Sequence, residues 1–391
     1  MNEKICVITS SRADYGLLKP LLDELSICET VELQLIVTGM HLSPEFGLTY
    51  KEIEKDGFFI NKKVEMILSA DTPSAITKST GLGMIGFADA LLELQPDIVV
   101  VLGDRFEIFA ASFSTMIARI PIAHIGGGET TVGAFDEAIR HSITKMAFLH
   151  FVATDVYRNR VLQLGEEPER VFNVGGMGVD CIMKTRLLGK EQLEKELDFT
   201  FGPKNLLVTF HPVTLEKRTS SDQFTELLAA LETLDDTHII FTAPNADTDG
   251  RVIKTLIDDF VSKHPRGSIA FTSMGQVNFL STLQYIDAVV GNSSSGLAEA
   301  PSFKIGTINI GDRQKGRVIA KSVISCLPEK DSIVNAMKKL YSDAFQKLLN
   351  TFINPYGKVG ASEKIIAILK KYQIENNIKK TFYDVNFNVK L

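Results

Sequence analysis

The sequence predicts an α/β protein with two Rossmann-like, doubly wound domains that face each other across an interdomain cleft. The chain has 391 residues, which is too long for one ordinary domain and fits two domains with separate cores. In both halves short apolar runs alternate with helical stretches, which is typical of parallel sheets covered by helices. Ligands of such sheets bind beyond the carboxyl ends of the strands, so two facing domains predict one shared cleft.

The elements of the first half alternate from the first residues onward. The runs at 97–102 and 120–125 are almost continuously apolar and lead into glycines, which indicates buried parallel strands. Further strands are predicted at 4–9, 32–38, 148–153 and 171–174, and helices at 17–25 and 50–56.

The pattern restarts after a charged helical segment at 190–197. We therefore predict one domain at 1–178 and a second domain at 179–366, with the C-terminal helix and tail at 367–391 packing back on the first. The second domain has predicted strands at 205–210, 238–242, 268–271, 288–290 and 307–310, and helices at 222–234, from 251 onward and at 277–285.

Composition narrows the classes of function. Hydrophobic residues make up 45% and charged residues 23%, values typical of a soluble globular protein. The formal charge of −6 argues against nucleic acid or an anionic membrane as partner, because both need a basic face. We find no export signal at the N-terminus and no apolar run of membrane-spanning length, so a cytoplasmic protein is expected. The scattered cysteines, Cys6, Cys28, Cys181 and Cys326, are interpreted as reduced packing residues.

Gly81-Leu-Gly-Met-Ile-Gly86 matches the dinucleotide pattern G-x-G-x-x-G. The preceding residues 71–80 are polar and predict no strand, so the context that this motif requires is missing. We expect close helix packing or a mobile loop here, and no nicotinamide or flavin cofactor.

Three polar motifs in the first half lie at predicted strand ends. Arg12 and Asp14 follow the first strand and precede a helix, where Arg12 can bind phosphate or Asp14 can simply cap the helix. Asp104 ends the 97–102 strand and is a candidate acid or base, or one member of a tight turn. The segment from His124 to His141 joins three glycines to several carboxylates, but its histidine spacing fits no metal motif, and we expect no metal. Asp136 and Arg140 are spaced i, i+4, as in an ordinary pair on a helix surface.

The second half has matching motifs. His211 ends one predicted strand and Asn245 follows the next. Gly291-Asn-Ser-Ser-Ser-Gly296 follows a third strand and opens a helix that reaches Glu299, an arrangement that binds diphosphate through N–H groups and the helix dipole, or that merely caps the helix. A glycine-bounded loop at 311–317 brings three cations to the last strand end, which favours phosphate over a solvated charge run.

In the order of these motifs the chain resembles the hydrolysing UDP-N-acetylglucosamine 2-epimerases, which make N-acetylmannosamine for sialic acid. The resemblance runs almost from end to end and is therefore specific. It rests on Ser-Arg-Ala-Asp-Tyr-Gly at 11–16, Val-Thr-Gly-Met-His at 37–41, Leu-Gly-Asp-Arg-Phe-Glu at 102–107, Asp-Glu-Ala-Ile-Arg-His-Ser-Ile-Thr-Lys-Met at 136–146, Gly-Asn-Ser-Ser-Ser-Gly at 291–296 and Ile-Gly-Asp-Arg-Gln-Lys-Gly-Arg at 310–317.

The resemblance implies a glycosyltransferase-B-like fold, a homodimer, a UDP-sugar substrate and the departure of UDP before carbon 2 is inverted. It implies catalytic carboxylates at Asp104 and Asp136, and we add His211 and, more weakly, Glu129 as catalytic candidates. The predicted UDP and sugar contacts are Arg12, Asp14, His41, Arg105, Asn245, Ser293, Ser294, Ser295, Gly296, Glu299, Arg313, Gln314 and Lys315.

One position departs from the family. Relatives carry a glutamate or a histidine two residues after the histidine that aligns with His124, whereas this chain has Gly126. The role of that side chain must pass to Glu129, to a water, or to nothing. Three rival functions remain open from the sequence: the same reaction on UDP-2,4-diacetamido-2,4,6-trideoxyglucose, a glycosyltransferase on the same fold, and a silent UDP-sugar sensor.

Overall fold

The structure is a computed structural model that describes residues 2–132, 134–213, 220–244, 250–357, 359–372 and 378–386. Asn245, a predicted UDP contact, lies outside these residues. Within them the chain builds two parallel sheets, and the predicted fold class is confirmed.

The first sheet has seven parallel strands in the order β3-β2-β1-β4-β5-β6-β7. Apolar side chains of β1 and β4 are buried on both faces of the sheet, which explains why these strands are almost continuously apolar. The strands are β1 Glu3–Thr9, β2 Val31–Thr38, β3 Lys62–Val64, β4 Ile98–Leu102, β5 Ile122–Ile125, β6 Leu149–Val152 and β7 Val171–Asn173.

The second sheet has six parallel strands in the order β10-β9-β8-β11-β12-β13. Strands β8 and β11 lie at its centre, so the loops that follow them are neighbours. The strands are β8 Lys204–Thr209, β9 Thr237–Thr242, β10 Ser268–Phe271, β11 Ala288–Gly291, β12 Gly306–Ile310 and β13 Val323–Cys326.

Helices cover both sheets. Those of the first half are α1 Arg12–Ser26, α2 Tyr50–Lys55, α3 Pro73–Leu94, α4 Phe106–Ile117, α5 Asp136–Met146 and α6 Asp155–Gln163. They are followed by α7 Met177–Lys184, α8 Lys190–Leu197, α9 Ser220–Leu231, α10 Gly250–Lys263, α11 Gln276–Thr282, α12 Ser295–Ala298, α13 Lys330–Leu340, α14 Asp343–Leu349 and α15 Ala361–Lys371. In the described part of the chain, no helix combines the length and apolarity needed to cross a membrane.

The Gly81–Gly86 motif lies inside α3, which sequence analysis did not place. Thr72 caps this helix and Pro73 opens it, so the polar segment before the glycines is its first half. A Cβ at Gly83 would lie 2.7 Å from the Met66 side chain, and one at Gly86 would lie 2.7 Å from Val64. The alternative of close helix packing is therefore confirmed.

The chain passes between the two sheets through α7, and the predicted boundary at residues 178 and 179 lies within this helix. Helix α15 packs on α1 and α7, and its apolar residues Ile365 and Leu369 join the core of the first sheet. The buried carboxylate of Asp180 on α7 accepts hydrogen bonds from the backbone N–H groups of Ala361 and Ser362 at 3.1 and 2.9 Å. This contact fixes the start of α15 against α7.

The described part of the tail, 378–386, lies on the first domain. Lys380 Nζ forms an ion pair of 2.6 Å with the buried Glu166, which also contacts Lys145 and His150. Tyr383 N–H donates to the carbonyl of Gly165 at 2.9 Å. The tail is thus held by a buried carboxylate and by backbone pairing.

Candidate active site

A cavity of about 280 Å³ lies between the carboxyl ends of the two sheets. It is lined by loops that follow β1, β4, β8 and β11 and by the segment after β12. The predicted site residues that reach it are Arg12, Asp14, Asp104, Arg105, Asp136, His211, Ser293, Ser294, Ser295, Glu299 and Arg313.

Arg12 spans the cleft from the first domain. Its Nη2 donates to the carbonyl of Ala243 in the second domain at 3.1 Å. Burial lowers the pKa of Arg12 to about 10, with Glu52 opposing and Arg105 adding to the shift, so the guanidinium remains charged at neutral pH. It offers a cation to an anion bound between the domains.

Asp14 shapes the loop that carries Arg12. Its carboxylate accepts from the backbone N–H groups of Ser10 and Ser11, both at 2.9 Å, and from the hydroxyl of Thr9 at 2.6 Å. Burial alone would raise the pKa of Asp14, but hydrogen bonds from His41, Thr9 and Ser10 hold it below the usual value. The capping role is therefore present, although the carboxylate also lines the cavity.

His41 is placed behind this loop rather than at the cavity surface. It is completely buried, and its ring contacts the hydroxyls of Thr9 at 3.0 Å and Thr49 at 2.7 Å. Its Nε2 lies 3.8 Å from Asp14. His41 therefore lies next to Asp14, which lines the cavity, but does not line the cavity itself.

Asp104 follows β4 and contacts a buried arginine. Arg140 on α5 donates through Nη2 to the Asp104 carboxylate, and the Thr131 hydroxyl lies 3.4 Å from the same oxygen. Burial would raise the pKa of Asp104, but the charges of Arg140, Arg317, Arg313 and Arg105 hold it below the usual value. The carboxylate is therefore ionised at neutral pH.

The prediction that Arg140 forms an ordinary i, i+4 pair with Asp136 on a helix surface is wrong. Arg140 is buried and links α5 to the end of β4, whereas a helix-surface pair would leave it exposed. Asp136 is the first residue of α5 and lines the cavity, so the helix start that Arg140 anchors also places Asp136 there.

Glu129 is placed between two guanidinium groups. Its Oε2 lies 2.9 Å from Nη1 of Arg317 and 3.5 Å from Nη1 of Arg140. It is not among the residues that line the cavity. Glu129 therefore lies beside Arg140, the partner of Asp104, and not at the cavity wall.

The main chain before Asp104 is held by His124. This buried histidine donates from Nε2 to the carbonyl of Gly103 at 2.8 Å and accepts at Nδ1 from the Thr144 hydroxyl at 3.2 Å. Burial lowers the pKa of His124 to about 3, with the hydrogen bond to Gly103 opposing, so the ring is neutral. Gly126, the position of the family departure, has φ +90° and donates its N–H to Phe151.

The second domain contributes His211 and the serine segment. Asn292 fixes the His211 main chain, since its side chain accepts from the His211 N–H at 2.7 Å and donates to the His211 carbonyl at 2.8 Å. Burial lowers the pKa of His211 well below the usual value, and Arg313, Arg12 and Arg105 act in the same direction. A neutral imidazole therefore faces the cavity.

The serine segment does not open a long helix. Helix α12 has only four residues, Ser295–Ala298, so its macrodipole contributes little. The hydroxyls of Ser293 and Ser294 line the cavity and can act as direct donors, whereas the Ser295 N–H donates to the Ser293 hydroxyl oxygen at 3.3 Å. Gly296 lies behind them and does not line the cavity; a Cβ there would lie 2.6 Å from the Thr307 side chain.

In the cationic loop at 311–317, after β12, some residues lie in the cleft and others at the surface. Arg313 lines the cavity and donates to the carbonyl of Asn292 at 3.2 Å. Gln314 is buried beneath it and donates to the same carbonyl at 2.7 Å, whereas Lys315 is exposed and pairs with Asp312. Gln314 and Lys315 are not among the residues that line the cavity.

Arg317, Arg140 and Thr131 are site residues that sequence reasoning missed. Arg317 and Thr131 line the cavity, and Arg140 contacts Asp104. The arginines were visible within the matched motifs at 310–317 and 136–146, but their partners come from distant parts of the chain. Among the described residues, no group of three or more His, Cys, Asp or Glu could hold a metal ion.

Comparison with known proteins identifies the family. Residues 23–370 match the sequence profile of the UDP-N-acetylglucosamine 2-epimerase family. The chain belongs to this family. The resemblance in the motifs is confirmed, and the chain is a UDP-sugar 2-epimerase by family.

Two relatives match over nearly their full length. The chain is 41% identical over 98% of its length to the "GDP/UDP-N,N'-diacetylbacillosamine 2-epimerase (hydrolyzing)" of Campylobacter jejuni, of which 99% is covered. It is 38% identical to the "Polysialic acid biosynthesis protein P7" of Escherichia coli, with 98% of both chains covered. The fold matches the UDP-N-acetylglucosamine 2-epimerase of Neisseria meningitidis bound to UDP-GlcNAc, with a TM-score of 0.79, 18% identity, and 94% of this chain and 100% of that chain covered.

In this epimerase family member, Glu299 is a buried carboxyl group at the cavity wall. Burial raises its pKa to about 8, against smaller opposing effects of its own backbone N–H and of Ser295. Gly178 makes room for it, since a Cβ there would lie 2.0 Å from a Glu299 oxygen. The group is protonated at neutral pH in the ligand-free protein and can donate as well as accept a hydrogen bond.

We expect the ligand-free protein to lose stability as pH rises from 5 to 9, relative to Glu299→Gln. The folded protein holds the Glu299 proton to about pH 8, whereas the ordinary pKa of this carboxyl group, which applies in the unfolded chain, is 4.5, so the unfolded state is favoured progressively between these values. Urea unfolding at pH 5, 7 and 9 should show a difference on the order of 3 kcal/mol across this range. Equal pH dependence in both proteins would refute the buried proton, and Glu93→Gln at the surface serves as control.

Proposed function

We propose that the protein hydrolyses a UDP-2-acetamido sugar, releasing UDP and the sugar inverted at carbon 2. The observation that carries this proposal is the pairing, across one cavity, of the carboxylates Asp104 and Asp136 with the cations Arg12 and Arg313. Carboxylates can move a carbon-bound proton, and cations can stabilise a departing diphosphate. Family membership supports the same reaction type.

The proposed reaction starts with elimination. The proton on carbon 2 is not acidic, because no carbonyl is adjacent to it. As the C1–O bond breaks, its electron pair leaves with UDP and carbon 1 gains oxocarbenium character, which acidifies the neighbouring proton. A carboxylate then removes that proton and a glycal forms.

The groups of the second domain act on the leaving diphosphate. Arg313 supplies charge from the loop after β12, and Ser293 and Ser294 supply hydroxyl donors. Arg12 approaches from the opposite wall. Neutral His211 donates one N–H without adding a charge. Such donors stabilise the transition state because they are already oriented where negative charge develops.

Hydration completes the reaction. Water adds its oxygen to carbon 1 of the glycal, and carbon 2 receives a proton on the face opposite to the one deprotonated. Asp104 and Asp136 come from different elements, the end of β4 and the start of α5, which supports one carboxylate acting on each face. Glu129 is withdrawn from the proposed proton transfers because its carboxylate lies between Arg140 and Arg317.

The identity of the sugar rests on the relatives. We place UDP-2,4-diacetamido-2,4,6-trideoxyglucose first, because the Campylobacter jejuni relative at 41% identity carries the name of this diacetylbacillosamine substrate. UDP-N-acetylglucosamine, giving N-acetylmannosamine for sialic acid, is the second candidate, and the Escherichia coli relative named for polysialic acid supports it. We also propose a cytoplasmic location, where nucleotide sugars are made.

We expect free UDP to appear together with a sugar that is inverted and deuterated at carbon 2 when the protein acts in heavy water. Proton NMR should be run without an acceptor and with each candidate sugar linked to UDP and to GDP, because the name of the Campylobacter jejuni relative includes both nucleotides. Turnover of the GDP-linked sugars alone would contradict the proposed nucleotide. A higher kcat/KM for the diacetamido sugar is expected. Faster turnover of UDP-N-acetylglucosamine would reverse the order of the two substrates, and UDP release without deuterium at carbon 2 would exclude the epimerase reaction.

Asp104→Asn and Asp136→Asn should each lower turnover at least about a hundredfold, the scale of lost general acid-base catalysis. Affinity for UDP, measured by calorimetry, should fall far less than turnover, because neither change removes a cation. Asp258→Asn, at an exposed helix position, is the matched control. Near-normal turnover in either active-site variant would remove that carboxylate from the mechanism.

We also propose that the protein forms a homodimer through the outer faces of α3 and α4. These helices pack side by side and expose Ile85, Leu92 and Ile117, whose exposed fractions are 67, 75 and 64%. Phe113 and Met116 extend the apolar surface. Contiguous exposed apolar surface of this kind is typical of an interface, and the homodimers implied by the family resemblance favour a second copy as its partner.

Leu92→Glu combined with Ile85→Glu should convert a dimer to a monomer, because two charges would be buried without partners in the proposed interface. Light scattering coupled to size-exclusion chromatography measures this directly. Ile27→Glu alters an equally exposed but distant residue and should leave the mass unchanged. A wild-type monomer, or a double variant that stays dimeric, would contradict the proposed surface.

A further inference from the structure

The two domains meet along a seam beside the cavity, formed by residues 128–131 of the first domain and 315–318 of the second. The Thr130 hydroxyl donates to the carbonyl of Lys315 at 2.9 Å, and Arg317 Nε donates to the carbonyl of Thr130 at 2.7 Å. Arg160 bridges the two segments, donating to the carbonyls of Gly128 at 3.2 Å and Gly316 at 2.6 Å. The seam therefore depends on a closed arrangement of the domains.

Gly316 allows the close approach at the centre of this seam. It has φ +81°, and a Cβ there would lie 3.0 Å from the Thr130 hydroxyl. Any side chain would be strained at this backbone conformation and would press on the opposite segment. The seam can thus be disturbed without changing any charge.

A line of ionic contacts runs from the seam to Asp104. Arg317 pairs with Glu129 at 2.9 Å, Glu129 lies 3.5 Å from Arg140, and Arg140 binds Asp104. The side chains of Arg140 and Arg317 are only 3 and 8% exposed. Buried charges of this kind need their partners, because an unpaired one is strongly destabilising.

The carboxylate of Glu129 lies closer to Arg317 than to Arg140. Its short contact is with Arg317 of the second domain, and its longer contact is with Arg140 of its own domain. If the domains separate, Arg317 leaves, and Glu129 becomes free to draw Arg140 away from Asp104. When the domains close, Glu129 pairs with Arg317, and Arg140 remains paired with Asp104.

We propose that Glu129 and Arg317 are positioning residues that couple closure of the second domain to the orientation of Arg140 and Asp104. The inference rests on the proposed role of Asp104 in moving a proton. Arg317 also lines the cavity, so a bound diphosphate recruits the same arginine that Glu129 binds. Closure, diphosphate binding and the assembly of the catalytic carboxylate are thereby one event.

The test is a double-mutant cycle of Glu129→Gln, Arg317→Met and the double variant. UDP affinity by calorimetry and kcat/KM for the better sugar substrate are both measured. Glu129→Gln should weaken UDP binding about fivefold or more, although Glu129 lies off the cavity wall, because closure becomes less favourable. The double variant should be no worse than Arg317→Met alone, which is the signature of coupled residues.

Two results would overturn the proposal. Multiplicative losses in the double variant would show that the residues act independently. Unchanged UDP affinity with a loss confined to kcat would mean that Glu129 acts in the chemical step and not in closure. Because UDP binding requires no turnover, this part of the test stands even if the proposed epimerase reaction fails.

Gly316→Ala provides a second perturbation of the seam that leaves all charges intact. It should weaken UDP binding and lower kcat/KM in the wild type but have little further effect in Glu129→Gln. Gly57→Ala, at a position with φ +91° where a Cβ meets nothing within 4 Å, is the matched control, and Glu93→Gln controls for loss of an acidic side chain. Normal UDP affinity in a folded Gly316→Ala protein, checked by thermal unfolding, would also contradict the coupling.

Discussion

The contact between Arg140 and Asp104 is the constraint on which the site depends. A carboxylate buried at the end of β4 is costly unless a cation satisfies it, and Arg140 supplies that cation from α5. Arg140 lies one helical turn after Asp136, the first residue of α5, which lines the same cavity. The ion pair thus links the helix that carries one carboxylate of the proposed reaction to the loop that carries the other.

The charge of the cleft differs in sign from that of the chain. The protein has a formal charge of −6, yet Arg12, Arg105, Arg313 and Arg317 all line one cavity. Arginine suits this place because it stays charged when buried and presents several donors in a fixed geometry. Arg140 lowers the pKa of Asp104 most strongly, and Arg317, Arg313 and Arg105 act in the same direction. In the reaction proposed above, a bound diphosphate would balance these charges and make Asp104 a better base.

The sequence could predict which strand ends carry the site but not which side chains meet there. The rule that ligands bind at the carboxyl ends of parallel strands predicted Arg12, Asp104, His211 and Ser293, and all four line the cavity. His41 was predicted from the family resemblance and not from this rule, and it is buried behind Asp14 instead of lining the cavity. The rule could not find the pair Glu129 and Arg317, because their proximity depends on how the two sheets are placed. The i, i+4 spacing from Asp136 predicted a surface position for Arg140. This prediction was wrong, because the spacing within one helix carries no information about Asp104, the partner that follows β4.

Gly126 shows how the site can lack a side chain that relatives carry. Its φ of +90° is a backbone conformation that side chains rarely adopt, and its carbonyl lies 3.4 Å from Arg140 Nη1. The main chain at this position therefore supports the cation that holds Asp104. Glu129 cannot replace a missing acid, because it is engaged by two arginines away from the cavity wall. In the proposed reaction one group removes a proton and another returns it on the opposite face, and we assign these two steps to Asp104 and Asp136.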